Sequence, residues 1–111
     1  MRMWMVPAKV MCRNHLLGEH RELHTFVGTL KKRVSVTGYL QEGLLDPSKL
    51  LSRHEELVTE MTRRGWGHYS LLEVPSYSYV TETPCIDVER NLRELASRCK
   101  ECRRLQESVT V

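Results

Sequence analysis

The chain has 111 residues, 41% of them hydrophobic and 28% charged, with a formal net charge of +3 at pH 7. That length suits one domain with a modest core, and the composition is that of an ordinary globular protein. The mild positive balance permits a nucleic-acid partner without demanding one, and with no apolar run near the length of a bilayer a membrane span is excluded.

Residues 1–12 are apolar and mixed, with Trp4, Met5, Val6 and Pro7, and read as an extended arm. A first helix is expected from Asn14 to Val34. Leu16, Leu23, Val27, Leu30 and Val34 form its apolar stripe. Asn14 is the cap, and Lys31, Lys32 and Arg33 suit the negative end of the helix dipole. Residues 35–45, with two glycines and no period, read as loop. Asp46-Pro47 then starts a second helix, with Asp as cap and Pro in the first turn. It runs to Arg64, with Leu50, His54, Leu57, Val58 and Met61 facing inward, and Gly65 stops it. Residues 66–86 read as irregular. Asp87 caps a third helix to Gln106, whose stripe is Leu92, Leu95, Cys99, Cys102 and Leu105, and 108–111 is a frayed tail. The expected fold is therefore all-α: a compact single domain, 1–111, of three helices with the N-terminal arm packed among them.

The first helix carries unusual polarity. His15, Glu19, Glu22 and Phe26 lie on one line of it. Two carboxylates three residues apart repel unless a cation sits between them, and partial burial makes a carboxylate a usable acid or base. On pattern alone a solvated face laced by Arg21, Lys31 and Lys32 is the stronger reading. Gly18 and Gly28 each weaken the helix by about 1 kcal/mol against alanine, so they either allow close backbone approach, as expected here, or are merely tolerated. At the start of the chain stands Met1. Arg2 is too large to allow methionine removal, so the α-amine of Met1 is expected to be the chain start. An α-amine has an ordinary pKa of roughly 7.7–8.0, against about 10.4 for lysine, so more of it is neutral and nucleophilic. An amine with a carboxylate nearby is the apparatus for imine chemistry.

Two blocks of sequence resemble the pyrimidine dimer DNA glycosylase family, the phage endonuclease V family. One is Arg2 followed by His15-Leu16, Glu19 and Arg21-Glu22-Leu23, with the spacing from terminal residue to carboxylate preserved and Gly28 recurring. The other is Arg53, Glu56-Leu57, Glu60 and Arg63-Arg64-Gly65-Trp66. The resemblance implies a glycosylase and abasic-site lyase acting on damaged or modified pyrimidines in double-stranded DNA. The terminal α-amine, here that of Met1, attacks C1′; base loss leaves an imine and β-elimination cuts the strand, with no metal or organic cofactor. Glu22 stabilises the cationic sugar and handles protons. Arg2 and Arg21 grip phosphates, and His15 and Glu19 support the site. His24 stands near a position that is basic in the family. Arg63 and Arg64 are further DNA-contact candidates, and the family turns out a base opposite the lesion. Methionine stands where the family has threonine, and the family's aromatic, lysine-rich tail is replaced by residues 98–104, so a base other than a pyrimidine dimer is a possible substrate. A monomer in a bacterial or phage-type cytoplasm is expected, since 1–12 does not read as a signal peptide.

Cys12, Cys85, Cys99 and Cys102 read as thiols or metal ligands rather than disulfides. Cys99-x-x-Cys102 suggests half a zinc site, completed by Cys12, Cys85 or a histidine. Because both cysteines fall on an apolar stripe, core thiols are preferred, and no metal is assigned. His20 and His24 read as a surface pair, Trp4 as core for the arm, and Trp66 as core or a base-stacking platform. Arg13, Lys31, Lys32, Arg33, Arg103 and Arg104 could track phosphates. Two rival functions remain: a non-catalytic module for distorted DNA, and a zinc-stabilised interaction domain.

Overall fold

The computed structural model describes residues 1–67 and 70–109, and among these there are five α-helices and no strand. They are α1 (Arg13–Lys31), α2 (Thr37–Gln41), α3 (Leu50–Arg63), α4 (Val88–Arg98) and α5 (Lys100–Val109), with 3-10 turns at Ala8–Val10 and Pro47–Lys49. No helix among the described residues is long and apolar enough to cross a membrane. The all-α expectation holds, but the number of helices and several ends differ from the sequence reading.

Helix α1 buries Leu16, Leu23, Phe26, Val27 and Leu30 along one face. It ends at Lys31 rather than Val34 because Arg33 turns into the left-handed region at φ 55. The Arg33 amide then donates to the Leu30 carbonyl at 3.0 Å, and that of Val34 to Thr29 at 3.2 Å, the paired closure of a Schellman end. Val34 is left exposed. The same closure ends α3 at Gly65 (φ 83), as expected from that glycine, and follows α2 at Gly43 (φ 71). Helix α2 itself lies in the stretch expected to be loop. Its one-face burial is limited to Leu40, and the stretch is too short for a period to declare itself.

Asp46 caps the next segment as expected, accepting from the Ser48 amide at 3.1 Å. The first turn after it is 3-10, so α3 proper starts at Leu50. The irregular reading of the following segment holds over its described residues. Asp87 caps α4 by accepting from the Arg90 amide at 3.0 Å.

The single third helix expected from Asp87 to Gln106 is instead two. The chain leaves helical geometry at Cys99 (φ −127, ψ 114) and re-enters it at Lys100. No glycine or proline lies between 88 and 109 to cause this. The fraying expected of the tail falls partly on 110–111, outside the described residues, while α5 continues to Val109.

The arm is central to the core. Met3, Trp4, Val6, Ala8, Val10 and Met11 are all buried. The Met3 amide donates to the Leu44 carbonyl at 2.7 Å, so the arm runs against the α2–α3 connection. Helices α1 and α3 pack on each other, and α5 lies against the 3-10 turn of the arm. Gly18 and Gly28, expected to allow close backbone approach, do not: a Cβ at either would meet nothing within 4 Å.

Candidate active site at the N-terminus

The line of side chains on α1 resolves into four separate environments. Phe26 is buried against Tyr39, edge to face at a centroid distance of 5.2 Å. Glu19 has a fully buried side chain, and Arg53 of α3 answers it with two hydrogen bonds, Nε to Oε2 at 2.6 Å and Nη2 to Oε1 at 2.8 Å. Burial pushes the Glu19 carboxyl up, against the pull of Arg53 and of the Trp4 and Met5 amides that donate to it. Arg53 also donates to the Val6 carbonyl at 2.7 Å and pairs with Glu56. Arg53 is thus the cation that answers Glu19, while Glu22 takes a backbone amide instead. Sequence reasoning used Arg53 only as part of a motif. Its signal was an arginine among the inward-facing positions Leu50, His54 and Leu57.

These contacts hold the arm in a shape it would not otherwise adopt. Met5 has φ 58, a left-handed conformation unfavourable for a side chain of its size. The amides of Trp4 and Met5 turn onto Glu19 and the Val6 carbonyl onto Arg53, and together they fix the bend. Asn91 of α4 adds a hydrogen bond to the Trp4 carbonyl at 2.8 Å.

Above this bend, the Arg2 amide donates to Glu22 Oε2 at 3.1 Å. The Arg2 guanidinium forms a bidentate pair with Glu94 at 2.9 and 3.1 Å and stacks over the Trp4 ring, 4.1 Å from its centroid. Residue 2 is thereby fixed at both backbone and side chain. The Met1 nitrogen is three covalent bonds from the Arg2 nitrogen, within about 3.7 Å of it. It therefore lies within about 7 Å of the Glu22 carboxylate, closer still on the favourable rotation of the Met1 backbone. Met1 is exposed and Glu22 half-buried. An adjoining cleft of about 510 Å³ has Arg2, Asp87, Arg90 and Glu94 among its walls, but neither Met1 nor Glu22 lines it.

A sequence profile of the pyrimidine dimer DNA glycosylases matches residues 1–74. The chain belongs to that family. No curated protein and no solved structure matches it. Membership places the chain among DNA glycosylases, with DNA as its partner class. The matched region holds the arm, Glu22 and Arg53, and ends before α4 and α5 begin.

The family frame sorts the remaining candidates by what their side chains touch. Arg21, expected on phosphate, is exposed beside Glu22. Arg63 is exposed and pairs with Glu60. Arg64, expected at the DNA, clamps the arm: it donates to the carbonyls of Met11 at 2.7 Å and Ala8 at 3.2 Å and to Glu60 at 2.7 Å. Arg2, likewise expected on phosphate, is held by Glu94. Glu19, expected to support the site, is fully buried and touches the arm through the Trp4 and Met5 amides. His24 joins His20 and the buried His54 in a packed trio with centroid distances of 4.9–5.4 Å, so the expected surface pair has an inner third member. Trp66 is half-buried, with Arg13 and Arg64 each 5.4 Å from its centroid.

His15, expected to support the site, faces Trp4 on one side and three cysteines on the other. Cys12, Cys99 and Cys102 converge there, which the two-helix break at Cys99 makes possible. Burial pushes the Cys102 thiol up to about 12. Burial acts the same way on Cys99, but hydrogen bonds from the Cys102 amide and thiol and from the Cys12 thiol outweigh it, and that thiol is lowered. Cys85 is apart from the group, exposed, and bonded to the Leu40 carbonyl at 3.2 Å.

Proposed function

We propose that this family member is a bifunctional DNA glycosylase and abasic-site lyase, working as a single-domain monomer on damaged or modified pyrimidines in double-stranded DNA. The Met1 α-amine is the nucleophile and Glu22 the acid–base group. The observation that carries this reading is the hydrogen bond from the Arg2 amide to Glu22, which brings the first peptide onto the carboxylate.

The amine lone pair forms a bond to C1′ as the glycosidic bond breaks and the base leaves with its electron pair. The nitrogen then gives up one proton, and its lone pair breaks the C1′–O4′ bond as O4′ takes a proton, leaving a protonated imine that acidifies C2′. Removal of a C2′ proton expels the 3′ phosphate and cuts the strand. Each step needs a group that accepts or returns a proton within reach of C1′. Glu22, half-buried and tied to the same peptide as the amine, suits that task. Its negative charge also favours the cationic sugar. The long-range ties Arg2–Glu94, Glu19–Arg53 and Asn91–Trp4 act as positioning contacts, since they hold the arm rather than the substrate. Arg21, Arg13 and the exposed lysines of the α1 end supply phosphate contacts.

The test is borohydride trapping on duplexes carrying an abasic site or a cyclobutane pyrimidine dimer, using protein whose chain starts at Met1 with a free amine. A covalent adduct that maps to Met1 is expected. Glu22→Gln is expected to slow strand cutting on the order of 10²–10⁴-fold, the usual range for a lost acid–base group. An abasic-only adduct keeps the amine chemistry and assigns the glycosylase to another modified base. Salt-dependent DNA binding with no adduct on either duplex, unchanged in Glu22→Gln, would sink the catalytic reading.

A further inference from the structure

We propose that Cys12, His15, Cys99 and Cys102 bind one structural zinc ion that staples α5 to the arm and the start of α1. The four ligand atoms all lie within 4.8 Å of one another. In a tetrahedral site with Zn–S near 2.3 Å and Zn–N near 2.05 Å, sulfur atoms stand about 3.8 Å apart and sulfur–nitrogen pairs about 3.6 Å apart. Cys99 Sγ is 3.8 Å from Cys12 Sγ, and Cys102 Sγ is 3.6 Å from His15 Nδ1. Cys12 Sγ is 3.2 Å from His15 Nδ1, slightly inside the tetrahedral edge. The spacing is that of ligands around one shared ion, not of four side chains packed for bulk.

Three features of the backbone point the same way. Helices α4 and α5 are separated at Cys99 without a glycine or proline, and the extended conformation there turns both cysteines of Cys99-x-x-Cys102 to one point. Cys12 occupies the cap position of α1, yet its side chain caps nothing and faces the cluster instead. Backbone amides are aimed at the sulfurs: that of Cys102 donates to Cys99 Sγ at 3.4 Å and that of Cys12 to Cys102 Sγ at 3.2 Å. Such donors steady sulfur that carries negative charge, and around a metal they are its outer support. With four protein ligands the site is closed, which makes it structural and leaves no position for substrate.

The site joins regions that are remote in sequence. Cys12 and His15 lie within the part matched by the family profile, and Cys99 and Cys102 lie beyond it. The zinc would therefore tie a C-terminal helical pair of this chain to the family core, at a point next to Trp4 of the arm. This inference is independent of the amine mechanism, because zinc content and imine trapping are read separately.

The experiment uses full-length protein without a histidine tag, purified under reducing conditions without added metal. About one zinc per chain is expected, the content of a single closed site. Replacement with cobalt is expected to give the absorption of a tetrahedral thiolate site, with sulfur-to-cobalt charge transfer. Chelation should lower the thermal midpoint by several degrees, since the metal contributes to folding. Cys99→Ser and Cys102→Ser should lose the metal, while Cys85→Ser should keep it. His15→Cys should retain zinc with stronger charge transfer. Should the serine variants fail to fold, the cobalt spectrum of the unaltered chain decides, because it reports the thiolates directly. The proposal is overturned by folded protein that takes up neither metal with all four thiols reduced, by a Cys12–Cys99 disulfide, or by zinc that survives Cys102→Ser and is lost in His54→Ala, which would move the metal to the histidine trio.

Discussion

Replacing Arg53 with methionine tests the energetic centre of the arm. Methionine keeps much of the volume and removes the charge. The Glu19 carboxylate then stays buried without its cation, and breaking a buried pair in this way costs about 3–5 kcal/mol. The Val6 carbonyl also loses its donor, adding about 1 kcal/mol. The loss should be about 4–6 kcal/mol, a large share of the roughly 5–15 kcal/mol that stabilises a domain. Glu19→Gln alone leaves the buried guanidinium with Glu56 as its remaining carboxylate and should also destabilise, by less than Arg53→Met. The double variant should be milder than the sum of the two by about 2–3 kcal/mol, because a neutral glutamine can still accept from the Trp4 and Met5 amides. Urea unfolding followed by far-UV circular dichroism measures all three, with an unchanged denaturant slope as the sign that only stability has moved. A loss below about 1 kcal/mol for Arg53→Met, or strict additivity in the double variant, would refute the account of the buried pair.

The two kinds of glycine should respond oppositely. Gly28→Ala, in open helical space, should stabilise by about 0.5–1 kcal/mol. Gly43→Ala should destabilise by about 1–3 kcal/mol, because φ is +71 there and the new Cβ would come 2.9 Å from the Cys85 carbonyl oxygen; equal chemical-denaturation midpoints for the two would contradict this. Hydrogen bonding from Arg63, helped by Arg64, holds the Glu60 carboxyl below its ordinary 4.5. A depressed native value means that the stabilisation is complete above about pH 4.5 and drains as pH falls through the native value. Glu60→Gln should therefore flatten the acid limb of the stability–pH curve, and an unaltered limb would remove Glu60 from it. Glu94→Gln breaks a partly exposed pair, so the thermal midpoint should shift little. Strand cutting should fall by a larger factor, because the Arg2 side chain is released and the first peptide is held by Glu22 alone. Cutting at the unaltered rate would remove Arg2–Glu94 from the positioning of the amine.

Local signals made much of the fold legible. Asp46, Pro47, Gly65 and Asp87 each punctuate the chain where the structure does, because capping and left-handed closure depend on residues within one turn. The end of α1 was less legible, since Arg33 takes a conformation that usually advertises itself as glycine. The apolar arm announced that it would be buried, but its bend at Met5 depends on Glu19 and Arg53, remote in sequence. Glu22 and Arg2 were found through their spacing and family resemblance, and the structure adds the contact between them. For Arg64 and Arg2 the sequence supplied charge without its address. A guanidinium turned to carbonyls or a carboxylate of its own chain and one turned to solvent look alike in a motif.

The split at Cys99 carries the same lesson further. An uninterrupted stripe, with good caps and no breaker, predicts one helix, and each local preference favours continuing it. A chain that leaves the helix there needs something outside the segment to offset the lost helical hydrogen bonds. Burying two cysteines as small apolar groups does not meet that need, since a continuous helix would bury the same stripe. Convergence with Cys12 and His15 does, because a shared ion rewards position rather than burial. The zinc reading thus accounts for the element on which the sequence reading was most plainly wrong, and it does so with the cysteine pair that the same reading had placed in the core.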